Sequence, residues 1–125
     1  MAYSDTLNYV VGDTLPALDL TLRDKNTAAS GVSLDSNNPA TWAPIDITGA
    51  TVRLRLRELG STTIVDTRTC SIVGSGSTGQ CTTIFATNSF STAGTYEGEI
   101  EITHASGNIQ SVNDLIKFKV RDSFD

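Results

Sequence analysis

The stretch 94–102 alternates strictly between two kinds of side chain, and this alternation constrains the fold more than any other feature of the chain. Tyr96 and the apolar or small residues that follow it lie on one side. Glu97, Glu99 and Glu101 lie on the other. A period of two residues is typical of a β-strand with one buried face. Three carboxylates in a row on one strand face repel one another, so we expect neighbouring strands to supply cations.

Cations alternate in the same way along two other stretches, 51–57 and 116–121. These stretches hold six of the nine basic residues, namely Arg53, Arg55, Arg57, Lys117, Lys119 and Arg121. Opposite charges that face each other across a sheet attract, and a slip of one residue would turn a charged row into the core. We therefore predict a charge ladder in one sheet with the strand order 51–57, 95–103, 109–120. All neighbours are antiparallel, and the cations flank the glutamates.

The size and charge of the chain restrict its class. A chain of 125 residues can bury its own core, so we expect a single domain over 1–125. It has no apolar run of 18 residues and no basic-then-apolar start, and we expect neither a membrane partner nor a secretory signal. The net charge of −5 argues against a nucleic-acid partner, because phosphate contacts need exposed cations.

Turn signals divide the chain into about eight short strands, which predicts an all-β fold, a β-sandwich of antiparallel strands. Residues 1–13 are predicted to form an N-terminal arm or edge strand. A long loop over 24–50 separates the second strand from the third, and 32–34 and 45–47 are candidate short strands within it. Loops this long in a compact domain are usually functional or disordered.

A hairpin is predicted further along the chain. Residues 62–66 and 69–73 are interpreted as separate strands, and the glycine- and serine-rich stretch 74–79 as a flexible hairpin tip. If this hairpin is symmetric, Cys70 and Cys81 face each other directly across it.

Tyr96 lies at the start of a late strand, and Ala93 and Gly94 precede this strand. This arrangement resembles the tyrosine corner of immunoglobulin-like domains, in which the hydroxyl caps the turn between the fifth and sixth strands. Antibody domains carry a cysteine two residues later, where this chain has Gly98. The resemblance therefore implies an immunoglobulin-like β-sandwich that lacks the inter-sheet disulfide.

Three segments together resemble one family: 12–16 with the following Leu-x-Leu-Thr-Leu, 45–53 with its Arg-Leu-Arg continuation, and 94–99. The family is the immunoglobulin-like N-terminal domain of tailed-phage baseplate upper proteins, with related small virion structural proteins. The resemblance covers about two-thirds of the chain. The 27–44 region is longer than the usual loop of the family, and no fibre or receptor-binding module follows in this sequence.

The resemblance implies a non-enzymatic structural protein of the virion that docks at the tail, baseplate or fibre-attachment region. Its partners would be other virion proteins, in several copies per particle, and assembly would take place in the host cytoplasm. In that reducing compartment the two cysteines would be thiols at assembly, and they could be oxidised after lysis. A capsid decoration (cement) protein of the same fold is one alternative, and a carbohydrate- or receptor-binding module is another.

We expect no catalytic residue, cofactor or metal. Two of the three glutamates could be a glycosidase pair, but facing arginines favour ionised carboxylates, whereas a general acid must hold a proton. His104 has no serine or cysteine in a motif with it, and 35–38 lacks the spacing of a calcium loop.

The long loop and the N-terminal arm are predicted to carry the contacts with other subunits, since loops on a rigid scaffold commonly bind. The candidate interface residues are Tyr3, Tyr9, Asn37, Asn38, Pro39, Trp42 and Pro44. Trp42 has two interpretations. It either plugs one end of the sandwich or anchors an interface, as tryptophan often does.

Overall fold

The computed structural model describes residues 6–112 and 115–124, which form an all-β domain with one short 3-10 helix, Pro39–Thr41. The strands are β1 Thr6–Val10, β2 Leu18–Thr21, β3 Arg23–Ala28, β4 Trp42–Pro44, β5 Thr51–Glu58, β6 Ile64–Ile72, β7 Gln80–Thr83, β8 Gly94–Thr103, β9 Ile109–Ser111 and β10 Ile116–Arg121. None of the described residues belongs to a helix long and apolar enough to cross a membrane.

One continuous sheet runs in the order β1-β10-β8-β5-β6-β7-β2, with β9 also paired to β8. Strand β6 has nine residues and serves two neighbours. Residues 64–70 pair with β5, and residues 71–72 pair with β7. The sheet curls as it passes from one partner of β6 to the other. Strands β3 and β4 form a separate two-stranded ribbon.

The predicted order of the central strands is confirmed, because β5, β8 and β10 are neighbours and all pair antiparallel. Other expectations were wrong. The edge strand β1 runs parallel to β10, so the sheet is mixed. The stretches 62–66 and 69–73 merge into β6, and the single strand predicted over 109–120 is divided into β9 and β10. The sequence pattern of this strand also allows a bulge near residues 113–114, which lie outside the described residues.

The core lies on the even-numbered side of the central strands, as their alternation predicts. Buried side chains from β5, β8 and β10 are Val52, Leu54, Leu56, Tyr96, Ile100, Ile102, Ile116, Phe118 and Val120. An aromatic cluster completes this core, with the rings of Tyr9, Phe85, Phe90 and Phe118 within 4.9–5.9 Å of one another. Strand β1 therefore contributes to the core through Tyr9 and is more than a loose arm.

The 74–79 loop is packed against the body of the domain, so its interpretation as a flexible tip was wrong. Gly76 O accepts a hydrogen bond from Ile47 N at 3.0 Å, and Gly79 O accepts one from Leu22 N at 2.8 Å. Gly79 has φ +76°, and a Cβ there would lie 2.6 Å from Leu22 O. Only glycine fits this contact without strain.

Candidate functional site

The outer side of the central sheet carries the charge ladder. In the β5–β8 pairing Arg53 lies opposite Glu101, Arg55 opposite Glu99, and Arg57 opposite Glu97. Arg57 Nε donates to Glu97 Oε1 at 3.3 Å, whereas the guanidinium of Arg55 binds the carboxylate of Glu101. The alternation of arginine with leucine and of glutamate with apolar residues was sufficient to predict these facing rows.

The second basic row is offset from the glutamates, which corrects the predicted ladder. Lys117 lies opposite Glu97, but Lys119 lies opposite Thr95, and Arg121 lies beyond the last paired position of β8. The reason is that the predicted strand is divided into β9 and β10, and β10 begins only at Ile116. As a result β9 takes the place beside the far end of β8, with Ser111 opposite Glu101.

Tyr96 forms hydrogen bonds with the backbone of the residue four positions before it. Its hydroxyl donates to the backbone carbonyl of Thr92 at 2.7 Å and accepts from the backbone N–H of Thr92 at 3.4 Å. The ring is buried against Phe90. Gly98, two residues on, is buried as well, and a Cβ there would meet Leu54 Cδ1 at 2.8 Å. The space that the missing side chain leaves is filled by Leu54 from β5 and by Phe118 from β10.

Trp42 is buried, with only 2% of its surface exposed, so its interpretation as an exposed interface anchor was wrong. Its indole Nε1 donates to Asp35 O at 3.0 Å, and Arg23 Nη1 donates to Trp42 O at 3.2 Å. Lys25 Nζ lies 5.5 Å from the ring centroid, a cation–π distance. Trp42 thus joins the β3–β4 ribbon to the middle of the loop that precedes it.

The long loop is more regular than predicted, because most of β3, the 3-10 helix and β4 lie within 24–50. The strands expected at 32–34 and 45–47 do not form. Its outer part, residues 29–41, is held by local hydrogen bonds. The single hydroxyl proton of Thr41 is shared between Asp35 O at 3.0 Å and Asn38 O at 2.8 Å, and Ala29 N donates to Thr41 O at 2.8 Å. We call this segment the 29–41 loop.

The other predicted interface residues divide by exposure. Asn37, Asn38 and Pro44 are exposed, and Pro39 is half-buried at the first position of the 3-10 helix. Tyr9 is buried and its hydroxyl donates to Pro16 O at 3.1 Å, so it does not offer a free surface. Its position facing β10 places it in the core. Tyr3 lies outside the described residues.

Two apolar side chains that the sequence interpretation did not select are exposed on the 29–41 loop. Val32 is 47% exposed and Leu34 is 43% exposed. The alternating Val-Ser-Leu stretch had indicated a strand, in which both side chains would be buried on one face. The segment forms a turn region in which Val32 N donates to Ala29 O at 3.3 Å, so both apolar groups remain at the surface.

Cys70 and Cys81 are free, buried thiols, but they are not directly opposed. Cys81 lies opposite Ile72, and Cys70 lies opposite Val52 of β5. The predicted register is wrong by two residues. The reason is that the 74–79 loop folds back onto residues 22 and 47, so the hairpin is not symmetric. The two thiols are still neighbours, and the hydrogen bond with Cys70, together with burial, raises the pKa of Cys81 above its ordinary value.

His104 lies in the turn after β8, half-buried, with Nε2 3.0 Å from Gln110 Oε1. Among the described residues there is no group of three or more histidine, cysteine or acidic side chains placed to hold a metal ion.

The geometry defines the class of the protein as an all-β domain with a charged sheet face and an exposed, hydrogen-bonded loop. The model of the family described as the BppU N-terminal domain matches residues 15–125, so the chain belongs to this family. It is a phage baseplate-associated structural protein, a virion component that interacts with other phage virion proteins. No curated protein matches the chain.

Proposed function

We propose that this domain is a non-enzymatic subunit that docks onto neighbouring proteins of a tailed-phage virion at the tail, baseplate or fibre-attachment region. The observation that carries the proposal is the family match over residues 15–125. We further propose that it is present in several copies per particle and is assembled in the host cytoplasm without nucleic acid or membrane. The carboxylates of Glu97 and Glu101 are bound to arginines, which fits a structural use of these groups better than acid catalysis.

We infer that the curled sheet is an immunoglobulin-like sandwich. Three features support this: the Tyr96 hydroxyl bonded to Thr92 O, the parallel pairing of β1 with β10, and the pairing of β2 with β7 on the far side of β6. In such a fold the loops at the ends of the strands are the common docking elements.

Docking is assigned here to the 29–41 loop. The loop exposes Val32 and Leu34, and burying these two side chains at an interface is favourable by about 25 cal/mol per Å² of apolar surface removed from water. The loop is also ordered before binding, because Trp42 Nε1 and Thr41 Oγ1 both donate to Asp35 O. A preorganised loop loses less conformational entropy on docking than a free one.

The location is tested by gold labelling of intact particles that carry the chain, viewed by electron microscopy. Label at the tail tip or baseplate is the expected result. Label distributed over the capsid would instead identify a decoration protein. Binding to a glycan array in the absence of other virion proteins would favour the carbohydrate-binding alternative.

The docking loop is tested with the double variant Val32→Ser, Leu34→Ser. We expect its incorporation into particles to fall while the free domain keeps its thermal midpoint. The control is Ile109→Ser, which also removes an exposed apolar side chain, 68% exposed on β9, at a position outside residues 29–41. The assignment of docking to the loop would be contradicted if both variants lost incorporation equally. It would also be contradicted if neither variant lost incorporation.

A further inference from the structure

The outer side of β5, β8 and β10 is basic although the chain as a whole is acidic. This face carries six cations and three carboxylates, a net charge of +3. The three cations and eleven carboxylates elsewhere in the sequence therefore carry −8, since the whole chain has a net charge of −5. Such a separation of charge creates a local positive potential on an acidic protein.

The positive charge is concentrated along β10. Lys117, Lys119 and Arg121 occupy three successive outward positions, about 7 Å apart along the strand, and all three are exposed. The residues facing them on β1 are uncharged, since Lys117 pairs with Thr6 and Lys119 with Asn8.

On the β8 side the register leaves most of this row without a facing carboxylate. Lys117 has Glu97 opposite it, but Glu97 also accepts a hydrogen bond from Arg57. Lys119 faces Thr95, a neutral residue. Within the described residues, no carboxylate lies opposite Lys119 on either neighbouring strand.

An aromatic ring lies at the end of this row. Phe124 is 100% exposed, and the guanidinium carbon of Arg121 lies 5.4 Å from its ring centroid. Aromatic and arginine side chains are the groups that most often contribute strongly to protein interfaces. The row therefore ends in a contact suited to a protein surface.

We propose that the outer face of β10, formed by Lys117, Lys119, Arg121 and Phe124, is a docking surface for a carboxylate-rich protein segment. A partner protein can place carboxylates over Lys119 and Arg121 and avoid the glutamates of β8. A nucleic acid has a uniform line of phosphates, which would approach Glu97 and its neighbours. This surface is separate from the 29–41 loop.

The test is a titration of the isotope-labelled domain with a ten-residue polyglutamate peptide at low salt, followed by NMR. We expect chemical-shift changes along β1 and β10, and weaker binding at physiological salt because exposed charges are screened. Lys119→Gln should weaken binding roughly three- to fivefold, a loss in the range of one exposed ion pair.

Lys25→Gln is the matched control, because it also removes one positive charge but lies on β3 beside Trp42. Equal weakening by the two substitutions, shift changes elsewhere, or no binding at low salt would overturn the proposal. Tighter binding of a 20-base-pair DNA duplex than of the peptide would overturn it as well. The variant Val32→Ser, Leu34→Ser should bind the peptide like the unmodified domain, so failure of the loop assignment and failure of this surface are distinguishable.

Discussion

The guanidinium of Arg55 binds the carboxylate of Glu101 diagonally across the β5–β8 pairing, two residues from its directly opposed position. Arg57, by contrast, binds the glutamate directly opposite it. The ladder therefore contains one diagonal and one direct ion pair. Both lie on the outer side of the sheet, where dissolved salt screens the attraction between their charges.

The direct pair should contribute little to stability. We expect a double-mutant cycle on Arg57→Gln and Glu97→Gln to give a coupling of about 0.2–1 kcal/mol at low salt, because the arginine side chain is 40% exposed. Urea unfolding in dilute buffer and in 1 M salt provides the measurement. A coupling above about 2 kcal/mol that persists in high salt would contradict this description of the pair.

Truncation of the buried indole should destabilise the domain strongly. Trp42→Ala removes a core side chain together with its hydrogen bond to Asp35, and we expect a loss of about 3–5 kcal/mol. The thermal midpoint should fall by on the order of 10 °C. Trp42→Phe, which keeps a large apolar ring but removes the indole donor, should lose only about 1–2 kcal/mol. A midpoint unchanged in the alanine variant would restore the interface interpretation of Trp42.

Two glycines in the 74–79 loop allow backbone conformation to be separated from close packing. Gly74 and Gly79 both have positive φ, but a Cβ at Gly74 would meet no atom within 4 Å. Gly74→Ala should cost about 1–2 kcal/mol from the left-handed conformation alone. Gly79→Ala should cost more, because its Cβ would also press on two backbone carbonyls, Leu22 O and Ile45 O. Chemical unfolding of the two variants compares them directly, and equal losses would show that the packing contact adds nothing.

The Tyr9 phenol should make stability fall at high pH. Burial, with a smaller contribution from the charge of Asp19, raises the pKa of Tyr9 above its ordinary value of 10.0. The unfolded chain therefore releases this proton first as the pH rises. The protonated Tyr9 phenol thus contributes to the free energy of unfolding. This contribution is complete below pH 10.0 and is lost as the pH rises through the folded-state pKa of Tyr9.

This contribution is measured as the difference between the unmodified domain and Tyr9→Phe in urea midpoints from pH 8 to pH 11.5. Other groups titrate in this range, but both proteins share them. A parallel decline in the two proteins would contradict a role for Tyr9.

The cysteines should react slowly while the domain is folded. Both thiols are buried, and the raised pKa of Cys81 keeps its reactive thiolate scarce. The hydrogen bond with Cys81 lowers the pKa of Cys70, so Cys70 is protected by its burial alone. We expect little labelling by iodoacetamide at pH 8 in native buffer and two labels per chain in 6 M urea, counted by mass spectrometry. Rapid labelling of either thiol in native buffer would show that the β6–β7 hairpin opens readily.

The central sheet could be predicted from the sequence because its signals are local and redundant. Each of β5, β8 and β10 alternates without interruption, and their charges match only in one order. The β6 strand was harder, because Asp66 and Arg68 lie on the core side, opposite Leu56 and Leu54. Asp66 is satisfied there by Ser89 Oγ, and Arg68 Nε by Ile84 O, partners distant in sequence. Polar residues on an inner face break the hydrophobic alternation from which a strand is read.

The candidate surfaces were less predictable for a related reason. Whether Trp42 is buried depends on its contact with Asp35, seven residues away across a loop without periodicity. The offset of Lys119 from the glutamates depends on the residue at which β10 begins. The amino-acid composition of the strand does not determine that residue. Residue type identified the chemistry of both regions, whereas register and loop path decided what is exposed.

The parallel pairing of β1 with β10 has a mechanical consequence. Because the strands run in the same direction, Thr6 lies beside Lys117 and Val10 beside Arg121, so the backbone enters this edge of the sheet at one pole and leaves it at the other. A tension applied between Thr6 and Arg121 pulls the two strands along their length in opposite senses. The hydrogen bonds of a parallel pair are evenly spaced, so such a load is shared among them and does not open them one at a time. A stretching force between these two points is therefore resisted in shear by the whole β1–β10 pairing.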